Sequence, residues 1–595
     1  MVPGRGPGSL FDASSGVILG TPAGSIPSLV FRTNNPMDNL RLLLFFALAI
    51  VLLLIYQAWV QDYGTPLATP PATVDQSVAP APATESQGIP DVTATAETPV
   101  PAPAPAMPAI PAHDGEATLI RVETDLLLLE ISPRGGTVAS AWLKDYSVSP
   151  EDKETKFRLL KPDVPNMFIA QSGLLGGEKE QLPTHEATFE SAQESYVLGD
   201  DKNELYVELL WSHPSGVQVK KRYRFERGSY VVHLTQVVTN NTGAPLSVRS
   251  YEQLQRTEIS DPNASRFLYT YTGGVYYTPE DKYTKESFDD MRDGKLQRNV
   301  NDGWIAMIQH YFMSGWIPPT GNVETFYTNV LDSSRFIIGK YSAPVSISDG
   351  GSHDFENRLF IGPKLQDTLT SVAPGLELAV DYGWLTVLAQ PIFWLLSKIH
   401  GVVGNWGWSI IILTILIKAA FYKLSETSYK SMANMRKFTP RMQALKDRYG
   451  DDKQRLNQAM MELYKKEKIN PLGGCLPIVV QIPVFIALYW VLLESVEMRQ
   501  APFALWLNNL SAPDPYFVLP LIMGVSMFAQ QKLNPAPPDP IQAKVMMSLP
   551  FVFTVFFAFF PSGLVLYWVV NNLLSISQQW YITRNIEKAS AKAKT

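Results

Sequence analysis

The arrangement of hydrophobic and polar positions changes character twice along the chain. Residues 42–60 are almost uninterruptedly apolar, about the length of a bilayer-crossing helix, and follow Met37-Asp-Asn-Leu-Arg41. From 118 to 362 apolar residues alternate with polar ones at period two, the pattern of strands with one buried face. Segments 118–124, 205–211, 217–225 and 230–238 carry it most clearly, and Asn240-Asn-Thr-Gly243 is a turn. Many strands without helical patterns between them favour an antiparallel sandwich. Segment 376–400 then mixes apolar residues with Trp384, Trp394 and Lys398, which suits a helix lying in a membrane interface. A linker helix packed on the β domain is the alternative. Runs at 406–422, 472–493, 516–530, 545–560 and 564–576 predict membrane spans, some shorter than the usual roughly 20 residues. The brief Pro561-Ser-Gly563 predicts a tight turn joining the last two as a hairpin.

These patterns predict an organisation. Residues 1–36 are a Gly/Pro/Ser-rich disordered extension, with translation expected to start at Met37. Residues 37–62 form an uncleaved anchor, preferred to a signal peptide because no small-x-small site follows Trp59. Residues 63–114 are a Pro/Ala-rich tether. A β domain occupies 115–370 and an interfacial helix 371–403. Spans follow at 404–424, 471–494, 516–531, 545–560 and 561–580. Between them lie a helical hairpin at 425–470 and loops at 495–515 and 532–544, with a basic tail at 581–595.

Composition alters this picture little. The chain has 595 residues, a net charge of -6 and one cysteine, Cys475, which excludes an intramolecular disulfide framework or a thiolate cluster. The distribution of charge says more. Lysine and arginine crowd 423–468, whereas 495–515 contains Arg499 alone. Short basic loops stay in the cytoplasm. The hairpin, the 532–544 loop and both termini are therefore expected there, with the β domain on the far side.

Lys418 is the most informative single residue, because it lies inside an apolar run. A cation within a span costs a few kcal/mol and marks a wet pathway or a partner, unless its stem snorkels to the headgroups. Thr414 lies one turn before it on the same face. Polar residues also dot the other spans: Gln481, Ser526, Asn571, Asn572 and Ser575. They form either a hydrophilic groove or interhelical hydrogen bonds. The set together with a cation favours the groove. In the hairpin, Met435, Phe438, Met442, Leu445 and Tyr449 make an apolar stripe, and Leu456, Met460 and Leu463 answer it. Gly450-Asp451-Asp452 supplies a helix stop and N-cap candidates, and Pro440 predicts a kink. The methionines either fill the hairpin seam or meet varied apolar clients. No HExxH, GxSxG or Walker motif is present, so no catalytic residue, metal or cofactor is expected. His310 and His353 are read as structural hydrogen bonders.

Several motifs are specific in combination. They are Gly404-Asn-Trp-Gly-Trp-Ser-Ile-Ile412, Asn470-Pro-Leu-Gly-Gly-Cys-Leu-Pro477, Arg499-Gln-Ala-Pro-Phe-Ala-Leu-Trp506 and Phe560-Pro-Ser-Gly-Leu-Val-Leu-Tyr567. With them the chain resembles the YidC/Oxa/Alb membrane protein insertases, in the form found in bacteria with two membranes. The resemblance implies a polytopic α-helical membrane protein of about six spans, with a five-helix core around a hydrophilic groove and a large periplasmic antiparallel β-supersandwich. It implies insertion and folding of inner-membrane proteins, alone or with the Sec translocon. The implied partners are nascent inner-membrane proteins, Sec components, the ribosome and lipids, and not DNA. It places Lys418 where the family usually has arginine, keeping the charge but losing the bidentate fork. It assigns client contact to Phe485, Met523, Tyr567 and Trp568. The residues alone leave two rivals open: a solute transporter, and a membrane-anchored carbohydrate-active enzyme working through the β domain.

Overall fold

The computed structural model describes residue 90 and residues 118–176, 181–258, 270–332, 334–450, 452–467, 476–534 and 540–592. The chain divides into units 1–83 and 84–595, and every described residue belongs to the second. The expected extension and anchor, and nearly all of the tether, lie outside the described residues. So do Asp451 and Cys475.

Period-two alternation becomes two sheets, of eleven and nine strands among the described residues. One is centred on Leu246–Thr257, paired antiparallel with Phe168–Gly176 and Arg335–Ser342. The other is centred on Val231–Asn240, between Val217–Glu226 and Ser352–Pro363. The inward row of Val217–Glu226 shows how alternation builds the core: Val217, Val219, Tyr223 and Phe225 are buried. Lys221 occupies the same row. Its ammonium is satisfied there, donating to Gly135 O, Ser172 O and Ser172 Oγ at 2.7 to 2.8 Å. Buried Lys340 likewise donates to Glu252 Oε2 at 2.8 Å and Asn357 Oδ1 at 2.6 Å. Buried charges persist only with such partners.

Beyond the sheets the chain is helical. Helix α1, Thr386–Val403, buries Ala389, Phe393 and Leu396 and exposes Val387, Trp394 and Val402. Gly404, with φ 69°, ends it in the left-handed conformation that favours glycine. Asn405 then caps α2, Trp406–Ala420, by accepting from Trp408 N at 3.1 Å. Phe421, at φ -91° and ψ 12°, leaves the helical region, and α3 follows as Tyr422–Tyr449. The two helices meet at 66°. The expected continuous span over 404–424 is therefore a helix and a corner. α3 continues through Pro440, and Asp452 caps α4, Lys453–Lys466, accepting from Gln454 N and Arg455 N.

Four further helices are α5, Leu476–Glu494; α6, Val518–Leu533; α7, Pro540–Phe557; and α8, Ser562–Lys592. By length and composition, Gly383–Val403 is long and apolar enough to cross a membrane among the described residues, and the bent pair counts as a second such stretch. Val480–Glu494 and Ala543–Phe557 are shorter apolar helices. The expected hairpin of the last two spans is differently built. α6 packs against both α7 and α8. A Cβ on Gly524 would collide with Thr554, so α6 and α7 depend on glycine for their close approach. Ser562 and Gly563 already belong to α8, so the turn lies before them. The expected tail continues α8 to Lys592, because no glycine or proline after Gly563 ends it.

The β domain and the helices are joined around 494–500. Lys364 Nζ lies 3.4 Å from Glu494 Oε2, both buried, and donates to Ala379 O. His310 Nε2 donates to Leu493 O at 2.9 Å. Arg499 donates to Ser147 O at 2.6 Å and lies over the Phe157 and Phe312 rings. Burial holds Lys364 below the usual lysine range and pushes His310 down to about 3, so the imidazole is neutral. Glu497, in the short turn Val496–Met498, is pushed up to about 7 by burial and by nearby Asp367.

Candidate functional site

The polar positions of the helical region converge on α8, against which α2, α3 and α6 all pack. Lys418 and Thr414 stand one turn apart on α2, 7% and 1% exposed. Lys418 Nζ donates to Ser575 Oγ on α8 at 2.8 Å. Ser575 donates its own proton to Asn571 O at 2.7 Å, and Thr414 donates to Ile410 O at 2.6 Å. Among the described residues, no carboxylate comes within ion-pair reach of Lys418, unlike Lys340 and Lys364. Ser425 and Ser428, on the first turns of α3, are buried as well. Sequence reading passed over them because short hydroxyl side chains in a basic segment carry no pattern of their own.

α8 carries two polar stripes. The first holds Asn571, Ser575 and Gln578, at spacings that share a face with Lys418's partner. The Asn571 Oδ1 and Gln578 Oε1 oxygens are buried without a hydrogen-bond partner among the described residues. Leaving such an acceptor unmatched costs about 1–3 kcal/mol. The second stripe holds Asn572 and Gln579. Asn572 Nδ2 donates to Ser526 Oγ at 3.1 Å, and Gln579 Nε2 donates to Leu533 O at 3.1 Å, both across the contact with α6. Ser526 and Asn572, predicted as groove residues, are thus placed in the α6–α8 seam as interhelical hydrogen bonds. Gln481 is half-buried on α5, and no hydrogen bond among the described residues links it to Lys418.

Three of the four predicted client contacts, Phe485, Tyr567 and Trp568, form a cluster where α5 meets α8, and Met523 lies on α6. Phe485 stacks on Tyr567 with centroids 6.0 Å apart and meets Trp568 edge-on at 4.8 Å. Phe485 and Trp568 are half-buried, whereas Tyr567 is buried and Met523 fully so. In the hairpin, Met442 and Met460 are buried in the seam, and the Tyr464 hydroxyl lies 3.6 Å from Met442 Sδ. Met435 is half-buried. Arg441 ties the two arms through Glu467 at 2.9 Å, and Lys423, Lys430 and Arg455 face outward.

Comparison with known proteins identifies the chain's relatives. A family profile described as YidC periplasmic domain matches residues 119–395, and one described as 60Kd inner membrane protein matches 398–589. The membrane protein insertase YidC of Methylococcus capsulatus is 52% identical over 94% of this chain and 100% of its own length. That of Thioalkalivibrio sulfidiphilus is 53% identical over 93% of this chain and 100% of its own. A solved structure described as active YidC insertase with the first transmembrane domain resolved covers 78% of this chain and 92% of its own. Its 17% identity and TM-score of 0.36 add nothing to what the sequences establish. With such identity sustained over nearly the whole chain, this protein belongs to the YidC family of membrane protein insertases, with a periplasmic β-sandwich domain and a helical C-terminal part.

Proposed function

We propose that this insertase passes polar client segments through a hydrophilic groove whose working charge is Lys418. The spans at 404–424, 471–494, 516–531, 545–560 and 561–580 surround the groove. The hairpin, the tail and the N-terminus are cytoplasmic, the β domain is periplasmic, and the protein crosses the inner membrane several times.

The observation that supports this is the state of Lys418: buried, with a neutral hydroxyl as partner and no carboxylate in reach among the described residues. A lysine retained for packing alone is expected to be fully matched, by carboxylates as at Lys340 or by three neutral acceptors as at Lys221. An acidic client tail loses hydration when it enters a bilayer, and a fixed cation offsets that loss. The open oxygens of Asn571 and Gln578 accept hydrogen bonds from the passing segment. Thr414 and Gln481 extend the polar path. The client's apolar helix then leaves past Phe485 and Trp568 into lipid, where its own hydrophobicity holds it. The outward cations of the hairpin receive nascent inner-membrane proteins, or the ribosome that carries them. The same core acts alone or beside the Sec translocon.

A wet groove makes a chemical prediction. With Cys475 replaced by serine, Lys418→Cys should react with a membrane-impermeant thiol reagent added from the cytoplasmic side, because thiolate chemistry needs water. Labelling slower than that of an exposed loop cysteine but clearly above background is expected. A thiol at 418 that stays inert in the folded protein would rule out the wet groove.

A further inference from the structure

We infer that Ser575 is the positioning residue for Lys418, its hydroxyl locked as an acceptor that aims the ammonium. This rests on Lys418 acting through its charge, and adds the group that sets where that charge sits.

The geometry of one hydroxyl carries the inference. Lys418 Nζ donates to Ser575 Oγ at 2.8 Å, across the contact between α2 and α8. Ser575 spends its own proton on Asn571 O, four residues back on its helix, at 2.7 Å. A serine hydroxyl has one proton and two lone pairs. With the proton committed to the backbone, only lone pairs remain to face Lys418. The Tyr429 hydroxyl on α3 also reaches Ser575, where with that proton committed it donates to the second lone pair. Two further neighbouring groups are occupied. Thr414 donates to Ile410 O, and Asn572 donates to Ser526.

The acceptor also matches the residue. An ammonium is a compact point charge on a flexible stem, with three rotatable donors. One acceptor fixes its position and leaves the other donors for a client carboxylate. A guanidinium fork would bring five donors to the same single hydroxyl. Lys221 shows the closed alternative, with three protein acceptors around one ammonium.

Without the Ser575 hydroxyl the lysine head loses its anchor and samples several positions. The loss should fall on clients that use the charge. Ser575→Ala is expected to lower insertion of a client with an acidic translocated tail by roughly tenfold, the scale of a hydrogen bond to a charged group. A neutral-tailed version of the same client should change less than about twofold. Ser575→Thr keeps a hydroxyl that can bond the carbonyl four residues back, so it should restore the acidic client.

The test uses full-length variants as the sole copy in membranes from depleted cells. Two clients differ only by tail aspartates changed to asparagine, insertion is read by protease protection, and Lys418→Ala is run in parallel. Selective loss in Ser575→Ala with recovery in Ser575→Thr supports positioning. Equal loss for both clients, with less folded protein in the membrane, would mean a merely structural serine and would overturn it. A silent Ser575→Ala beside a selective Lys418→Ala would overturn the positioning role and leave the charge role standing. A Lys418→Ala without selectivity would overturn both.

Discussion

Lys340 and Lys418 are buried lysines in two different regions, and they are held in opposite ways. In the β domain, Lys340 lies opposite Glu252 in the strand register and reaches Glu252 Oε2 at 2.8 Å, Glu324 Oε2 at 3.4 Å and Asn357 Oδ1 at 2.6 Å. In the helical region, Lys418 is nearly as buried, and its described partner is one neutral hydroxyl. Strand pairing brings the two carboxylates to Lys340, and the facing sheet brings Asn357, whether or not a ligand arrives, so that charge has nothing left to offer. The charge of Lys418 is under-matched among the described residues, and under the function proposed above a passing segment completes it. Burial of a cation is therefore not itself a sign of function. What surrounds the cation is.

The largest effect expected from this contrast concerns stability. Lys340→Ala leaves Glu252 and Glu324 buried without their cation, at a cost of about 3–5 kcal/mol. Thermal unfolding of the full-length protein in detergent should show a clear drop in Tm. Lys418→Ala strands no carboxylate among the described residues, only the neutral Ser575 oxygen, and should cost less, about 1–2 kcal/mol, with a correspondingly smaller drop in Tm. Equal losses in the two variants would erase the distinction.

Glu497 is an intermediate case: a half-buried acid outside the spans, whose buried Oε2 lacks a partner among the described residues. Its proton affinity in the fold, raised to about 7, exceeds the ordinary value of 4.5. The folded state thus binds more protons than the unfolded state between these values, and stability falls as pH rises through them. Glu497→Gln stays neutral and should escape this loss. The variant should be more stable than its parent at pH 8 by about 1–3 kcal/mol and similar to it near pH 4, in denaturant melts at both pH values. Parallel pH profiles for parent and variant would remove Glu497 as the source.

Much of the β domain was legible in the sequence, because period two maps directly onto strands. The segment expected at 217–225 is the strand Val217–Glu226. Its inward lysine was not legible as a core residue, because the acceptors of Lys221 come from positions 49 and 86 residues away in the chain. The helical runs were legible from apolarity. The corner at Phe421 was not, since neither glycine nor proline marks it. Lys418 and Ser575 both stood out as polar residues in apolar surroundings, yet their pairing spans 157 positions and leaves no local trace. Neighbouring Asn571 and Asn572 looked alike in sequence. About 100° of helical rotation sends the first toward the stripe of Ser575 and the second into the α6–α8 seam.

Insertion of a matched client pair by Lys418→Ala in sealed membranes bears most directly on the central claim. The clients share one apolar helix and differ in carrying an acidic or a neutral translocated tail. If Lys418 works by its charge, the variant should lose at least roughly tenfold in insertion of the acidic client, the scale of about 1.4 kcal/mol, and should insert the neutral one almost normally. Undiminished insertion of the acidic client by a folded Lys418→Ala protein would contradict the account.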